Sequence, residues 1–425
     1  MKCGFSTKAL TFPLPIPLAG YAAKRIAEQI HDPLCVQILV IQNEDAKLGL
    51  ISLDLVGIEA HFYCDLMRMA KPYGFDEANL MIGATHTHSG IQGVMDCEHS
   101  DVLKGMDFIF GSWKEEVASP VIEVVEACLK EALASMESGQ IRMMRDHLEG
   151  IGSNRNNPDL PGDPEVFMLE VKQTTGKAAL LYRLACHPTV LDPNNKLVSA
   201  DIPGAVRKRL REKYDTVLFM NGSCGDISTR FTRVKSGFDE VERYGERIAS
   251  AILSCTADFN GKAYDTVSLH HYKQKIMLQT KPVMRLDQAS QQLEAALTAY
   301  EAAKQQGISG AQLRVLATHV EGKTANVFYA KRGCLSKSIA ITVYYQQLND
   351  ELLLFCPLEL YSQLSNRIKR PHLHVIGYAN GYTLYVTDEE AHVKQYYEAL
   401  ISPFASGEGE RFLAEVDAFV QTILK

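Results

Sequence analysis

A chain of 425 residues with net charge −7 and a pI near 6.0 has room for two or three domains, or for one large α/β unit with insertions. The acidic balance argues against nucleic acid or an anionic membrane as main partner; Arg207-Lys208-Arg209 with Arg211 reads as the polar face of a helix. No run approaches the ~20 apolar residues of an integral membrane segment. Pro13, Pro15 and Pro17 interrupt the N-terminus before a secretory apolar region can form, and ten scattered cysteines without a Cys-x-x-Cys read as buried, reduced thiols. A soluble, cytoplasmic protein is expected.

Residues 1–21 read as an extended, proline-punctuated arm ending in a tight turn at Gly20-Tyr21. Residues 36–42 and 48–54 alternate as strands around the turn Asn43-Glu44-Asp45, a hairpin pattern, and 58–71 read as a helix. The stretch 79–90, NLMIGATHTHSG, starts as a buried strand and ends in His86 and His88. On extended backbone, residues two apart share a face, so both imidazoles are expected to enter one cavity. They suit a metal ion, or one ligand beside one acid/base; two hydrogen-bonded structural histidines are the equal alternative. The aperiodic loop 91–111 suits a lid or substrate wall, with His99 in solvent. A helix is expected over 113–136 and a strand over 141–145, followed by the turn-rich loop 150–158 that carries Arg155, a fork suited to an oxyanion or carboxylate.

Strands over 166–171 and 178–184 run into Cys186-His187-Pro188, where the proline holds His187 extended at a strand end. A helix over 202–214 and a short strand over 217–220 precede NGSCGDIS, a glycine-rich loop with Ser228 as a potential nucleophile and Asp226 as an orienting group. It lacks a Gly-x-Ser-x-Gly elbow and is no phosphate-binding loop. Helices are expected over 238–253, 285–306 and 311–320, with 285–322 forming a helical insertion or cap. His270 and His271 fall on opposite strand faces. Strands over 343–348 and 352–355 lead to Glu359, a carboxylate among apolar neighbours that needs a partner. A strand over 375–378 leads to NGYTLYVT with Tyr385, and 409–424 reads as a terminal helix. The fold class is α/β, mixed β-sheets flanked by helices, with polar groups gathered at strand ends. Two histidines and a carboxylate at such ends match a catalytic zinc set with open positions.

The segments ATHTHSG, SNR, CHPT, NGSCGDIS, the Pro-x-Glu of CPLEL, and NGYTLYVT followed by QYYE occur here in one order. Together they resemble the neutral/alkaline non-lysosomal ceramidase family from Leu18 to Glu398. The resemblance implies a single catalytic domain over 1–425 and an amidase with one Zn2+ per chain. By position it implies His86, His187, Glu359 and Tyr385 as zinc ligands, His88 as a catalytic histidine and Ser228 as nucleophile, with zinc-bound water as the alternative attacking group. Arg155 and Tyr397 are implied around the substrate and the developing oxyanion.

Departures from the family pattern point away from ceramide itself. Longer members carry a secretion signal and a C-terminal β-sandwich domain, neither of which is expected here. Ser228-Thr229-Arg230 stands where Ser-Pro-Asn is common, and His392 where a tyrosine is frequent. The expected partner is a small-molecule N-acyl amide, lipids included, and Arg230 with Arg233 suits an anionic group on it. A zinc-dependent esterase or other hydrolase, and a non-catalytic small-molecule binding protein retaining the fold, are the rival readings.

Overall fold

The structure, a computed structural model, describes residues 1–308, 310–333 and 335–424; Cys334 lies outside them. Eight strands build the main sheet: β1 (Lys2–Ala9), β2 (Cys35–Gln42), β3 (Lys47–Leu53), β4 (Leu80–Ala84), β5 (Glu137–His147), β6 (Glu165–Gln173), β7 (Ala178–Leu184) and β8 (Thr216–Asn221). Their order is β8-β7-β6-β5-β1-β2-β3-β4, parallel at the two outer pairs and antiparallel between. The N-terminal residues expected as an arm are instead the centre of this sheet, with β1 paired to β2 along its whole length. Ser6, Thr7 and Lys8 hide the apolar alternation of β1 in the sequence. Gly4 is required there because a Cβ would sit 2.1 Å from the Ala132 carbonyl oxygen of the helix crossing it.

Alternation along the strands decides which face meets which layer. Val36, Ile38, Val40, Ile51 and Leu53 face α1 (Ala60–Ala70) and α2 (Glu115–Ala134), meeting Phe62, Leu66, Val121 and Val125. On the other half, Met168, Leu180 and Tyr182 meet Val206 of α3 (Asp201–Leu210) and Ile248 of α4 (Phe238–Asp258). The remaining faces, Leu39, Ile41 and Leu50 with Leu169, Leu181 and Met220, share one core. The sheet therefore doubles over on itself with helices outside both halves. Ser52 of β3 donates to the Phe219 carbonyl of β8 at 2.6 Å, so the two ends of the sheet touch.

A second sheet, β9 (Leu269–Gln279), β10 (Ser338–Leu348), β11 (Glu351–Phe355) and β12 (Leu373–Ile376), adds Tyr344, Leu353, Phe355 and Ile376 to that core. The segment after β12 binds both edges of the main sheet. Gly377 N–H donates to Asn221 O at 3.0 Å, Ala84 N–H to Tyr378 O at 3.0 Å, and Asn380 N–H to Ile82 O at 2.9 Å. This stitch brings the ends of β4, β7 and β8 to one place.

Between β9 and β10 lies a helical pair, α5 (Leu286–Gln305) and α6 (Gly310–Arg332), the second running past the expected end at 322. A last helix, α7 (Glu408–Ile423), packs Phe412, Val416 and Val420 against Ile276 and Leu278 of β9. Arg207 departs from the polar-face reading. Its guanidinium reaches into the sheet and pairs with buried Asp54 at 2.7 Å, because β3 ends in a carboxylate that burial alone would discharge. No disulfide joins the described cysteines, most of which are buried. No helix among the described residues is long and apolar enough to cross a membrane.

Candidate active site

Beyond β4 the chain leaves the extended region: His86 has φ +66°. The two histidines of ATHTHSG therefore converge through a left-handed turn, not through strand alternation as the sequence suggested. This left-handed backbone at a non-glycine residue costs on the order of 1 kcal/mol. His187 joins them from the end of β7. The three Nε2 atoms form a triangle: His86 to His187 is 3.2 Å, His86 to His88 3.2 Å, and His88 to His187 3.1 Å.

The outer ring nitrogens separate the three. Nδ1 of His86 donates to Val56 O at 2.5 Å, and Nδ1 of His187 to Cys224 O at 3.3 Å. Those bonds fix both tautomers with the Nε2 lone pair inward. Nδ1 of His88 is buried without a partner, so its tautomer is not set. Burial and the adjacent His86 ring hold His88 and His187 well below the usual imidazole range. The inward Nε2 atoms of His86 and His187 stand 3.2 Å apart, an arrangement that a cation between them would relieve. His86, His88 and His187 are the cluster among the described residues whose ligand atoms could hold a metal ion.

Glu359 follows β11 and lies beside this triangle, its Oε2 3.4 Å from His86 Nε2. It accepts hydrogen bonds from the phenols of Tyr382 and, at 3.4 Å, Tyr378. Burial raises its carboxyl, but His86, Tyr382 and Arg155 together bring it below the ordinary value. A parallel pairing of Glu359 with Tyr385 sets Tyr385 next to it. Neither Tyr378 nor Tyr382 was singled out from the sequence, although Tyr382 lies in the motif that carries Tyr385 and Tyr378 two residues before it. The signal was the requirement that a buried carboxylate have donors.

Ser228 and Arg155 arrive together, because Ile227–Ser228 pairs antiparallel with Ser153–Asn154. Asp226 locks this pair of loops: its carboxylate accepts from Asn154 Nδ2, Ser362 N–H and Ser362 Oγ, and its carbonyl from Arg155 N–H. The Ser228 Oγ accepts the Arg230 N–H at 3.2 Å. Arg155 donates to Gly225 O at 2.6 Å and pairs with Glu398, which is 1% exposed and also bound by Asn156 and Tyr361. Glu398 escaped the sequence reading, where it was only the last letter of QYYE. The Tyr397 and Tyr385 rings are 6.1 Å apart, with the Arg155 guanidinium 5.9 and 5.4 Å from their centroids.

A cavity of about 430 Å³ opens onto His88, His187, Ser228, Arg155, Tyr385 and Tyr397, while His86 and Glu359 lie behind it. Its far wall comes from the loop 106–109 and from α6 of the helical pair. Loop 91–111 is thus a wall of the site; His99 stands in solvent against Asp96. His270 and His271 lie outside the site, on β9. Gly20, with φ +97°, presses on the His88 ring, and Tyr21 packs 4.9 Å from it. Arg25 holds this turn by donating to Ala19 O and His88 O at 2.6 and 2.8 Å.

Comparison with known proteins bears on the family and the fold. The sequence pattern described as "Neutral/alkaline non-lysosomal ceramidase, N-terminal" matches residues 4–218. The neutral ceramidase of Pseudomonas aeruginosa is 25% identical over 150 residues, covering 32% of this chain and 22% of that protein. Among solved structures, the crystal structure of neutral ceramidase from Pseudomonas aeruginosa superposes with a TM-score of 0.75 at 18% identity, over 98% of this chain and 73% of that one. A ceramidase complexed with C2 superposes with a TM-score of 0.75 at 17% identity, over 100% and 75%. The doubled sheet thus has a known counterpart, and half of this sequence carries the pattern of one family: the chain belongs to the neutral/alkaline non-lysosomal ceramidases.

Proposed function

We propose that the protein is a zinc-dependent amidohydrolase that cleaves a linear N-acyl amide bond. The observation that carries this reading is the convergence of three imidazole Nε2 atoms on one point at the floor of a cavity that also holds Ser228, Arg155 and Tyr397. Imidazole, carboxylate and phenol donors fit zinc. His86 and His187, with lone pairs fixed inward, would hold the ion together with Glu359 and Tyr385. The chemistry the ion supplies when bound is Lewis-acid polarisation of the amide carbonyl.

The remaining steps belong to the chain. Ser228 offers a hydroxyl at the cavity wall for attack on the carbonyl carbon. His88, whose outer nitrogen is free of a fixed hydrogen bond, takes the proton at Nε2 and returns it to the departing amine, which must leave protonated; a water that gives its proton to His88 then releases the acyl group from Ser228 as the carboxylic acid and restores the hydroxyl. Arg155 and Tyr397 face the negative charge that develops on the carbonyl oxygen. Glu398 keeps Arg155 charged and aimed. The test is elemental analysis of wild type beside His187→Ala, with both proteins run on a graded N-acyl amide series. About one zinc per chain, lost together with hydrolysis in the variant, is the expected result. A folded wild type that binds no metal and cleaves no amide would refute it.

A further inference from the structure

Charge around the cavity is unevenly distributed. Arg155 is answered by Glu398, Arg314 by both oxygens of Glu321 at 2.8 and 3.3 Å, and Lys235 by Asp239. Arg233 gives its guanidinium to the carbonyls of Thr189 and Val190 and, among the described residues, meets no carboxylate. Arg230 has neither: among the described residues its guanidinium reaches no acceptor at all, yet it lines the cavity. Burial first, then Arg155, Arg314 and Arg233, draw its pKa down to about 10 against an upward pull from Glu398. A half-buried guanidinium crowded by other cations and lacking an internal counterion is unfavourable unless an anion from outside completes it.

The rest of the lining is of another kind. Met106, Phe108, Ile109, Phe328 and Ile401 add apolar surface to the same cavity. Arg230 lies two residues after Ser228, on a helical turn whose start is capped by the Ser228 hydroxyl. An anion held by Arg230 is therefore within one side chain's reach of the attacking group.

Resting on the amidohydrolase reading, we infer that the substrate is an N-acyl amide bearing an anionic group a few bonds from the scissile bond, bound by Arg230 with Arg233 and Arg314 beside it. The apolar wall takes the acyl chain and the arginine fork takes a carboxylate or sulfonate, as in an N-acylated amino acid or amino sulfonate. Hydrolysis consumes one water, breaks the C–N bond, and releases the free carboxylic acid and an amine that retains its anion. A neutral acyl sphingoid leaves Arg230 without its counterion.

The experiment compares N-dodecanoylglycine, N-dodecanoyltaurine and neutral N-dodecanoylglycinamide on wild type, Arg230→Gln and Arg230→Glu. Wild type is expected to favour at least one anionic amide over the glycinamide by tenfold or more in kcat/KM, and the two anions tell carboxylate from sulfonate. Added salt should raise KM for the anionic amides alone. Arg230→Gln should erase the preference, and Arg230→Glu should turn it toward cationic N-dodecanoyl-ethylenediamine. Equal or better use of the glycinamide by wild type, or a preference that survives in Arg230→Gln, overturns the inference. Calorimetric titration of wild type with the same compounds separates the two readings. Tighter binding of the anions without turnover sinks the hydrolase reading and leaves the anion site at Arg230, whereas turnover with equal binding of all three keeps the hydrolase and sinks the anion site. The wild-type comparison stands even where a variant fails to fold.

Discussion

Gly20 offers the sharpest perturbation of His88 that replaces no catalytic residue. A Cβ at Gly20 would lie 2.6 Å from His88 Nδ1 and 2.7 Å from its Cγ, where ordinary contact begins at 3.4 Å, so the ring must retreat by about 0.8 Å. A displacement of ~1 Å at a reacting group costs on the order of 100-fold in rate, about 2.7 kcal/mol of barrier. The backbone adds a separate cost: φ is +97°, and an L side chain there loses roughly 1–2 kcal/mol of stability. Gly176, in the β6–β7 turn, has φ +93° with nothing within 4 Å of its Cβ position, and so isolates the backbone part. Gly20→Ala should therefore lose stability comparable to Gly176→Ala but lose about 100-fold in kcat/KM, while Gly176→Ala keeps its activity. Zinc content should survive in both, since His86 and His187 hold the ion. Steady-state kinetics, metal analysis and thermal melts read these outcomes. Full activity in Gly20→Ala, or the same loss in both variants, would refute the placement of His88 as the proton carrier.

The other predictions concern what supports the site. Glu398→Gln keeps the shape but removes the charge opposite Arg155; kcat is expected to fall about 10- to 100-fold with KM little changed, because the oxyanion support and not ground-state binding is weakened. Chelation should lower the melting temperature, and zinc should restore it, since saturation at 100 times the dissociation constant stabilises the fold by ~2.7 kcal/mol; an unchanged melt would argue that no ion is held. Near β7, burial pushes the Asp163 carboxyl up, but Arg183 and Lys369 outweigh it and bring it from 3.8 to about 2. A depressed carboxyl stabilises the fold fully above pH ~4, and that contribution, about 2 kcal/mol, is lost as pH falls toward 2. Acid titration of unfolding should show this loss in wild type and lack it in Asp163→Asn; identical acid profiles would remove the assignment.

The polar groups at strand ends were legible because each follows an apolar run of the right length: His86 after β4, His187 after β7, Ser228 after β8, Glu359 after β11. Local pattern carried that much. What the sequence left open depends on contacts between distant segments. β1 was unreadable because its partners lie on both sides of it in space and its own residues are largely polar. Arg207 was misread for a similar reason, since Asp54, which draws it inward, lies far back in the chain. The positive φ values of His86, Tyr378, Asn380 and Leu384 leave no mark in composition, because none of these residues is glycine. They are held by the packing of the site, and the convergence of the imidazoles follows from them. Tyr382 and Glu398 were present in recognised motifs, but their roles become visible only when the buried charges they satisfy are seen together.

The stitch made by Gly377 to Asn380 has a consequence for the order in which the molecule can be made. Both outer strands of the main sheet are complete by residue 221, yet their free edges wait for a segment that leaves the ribosome more than 150 residues later. Through that interval the nascent chain carries two open β-edges, the surfaces most prone to pair with another chain. Long-range closure of this kind is slow, and a ribosome stalled before Gly377 releases a sheet with nothing to protect it. Fragments ending before the stitch should accumulate in inclusion bodies, and co-expression of a chaperone that shields exposed strands should raise the yield of the full chain more than it raises that of a helical protein of equal length.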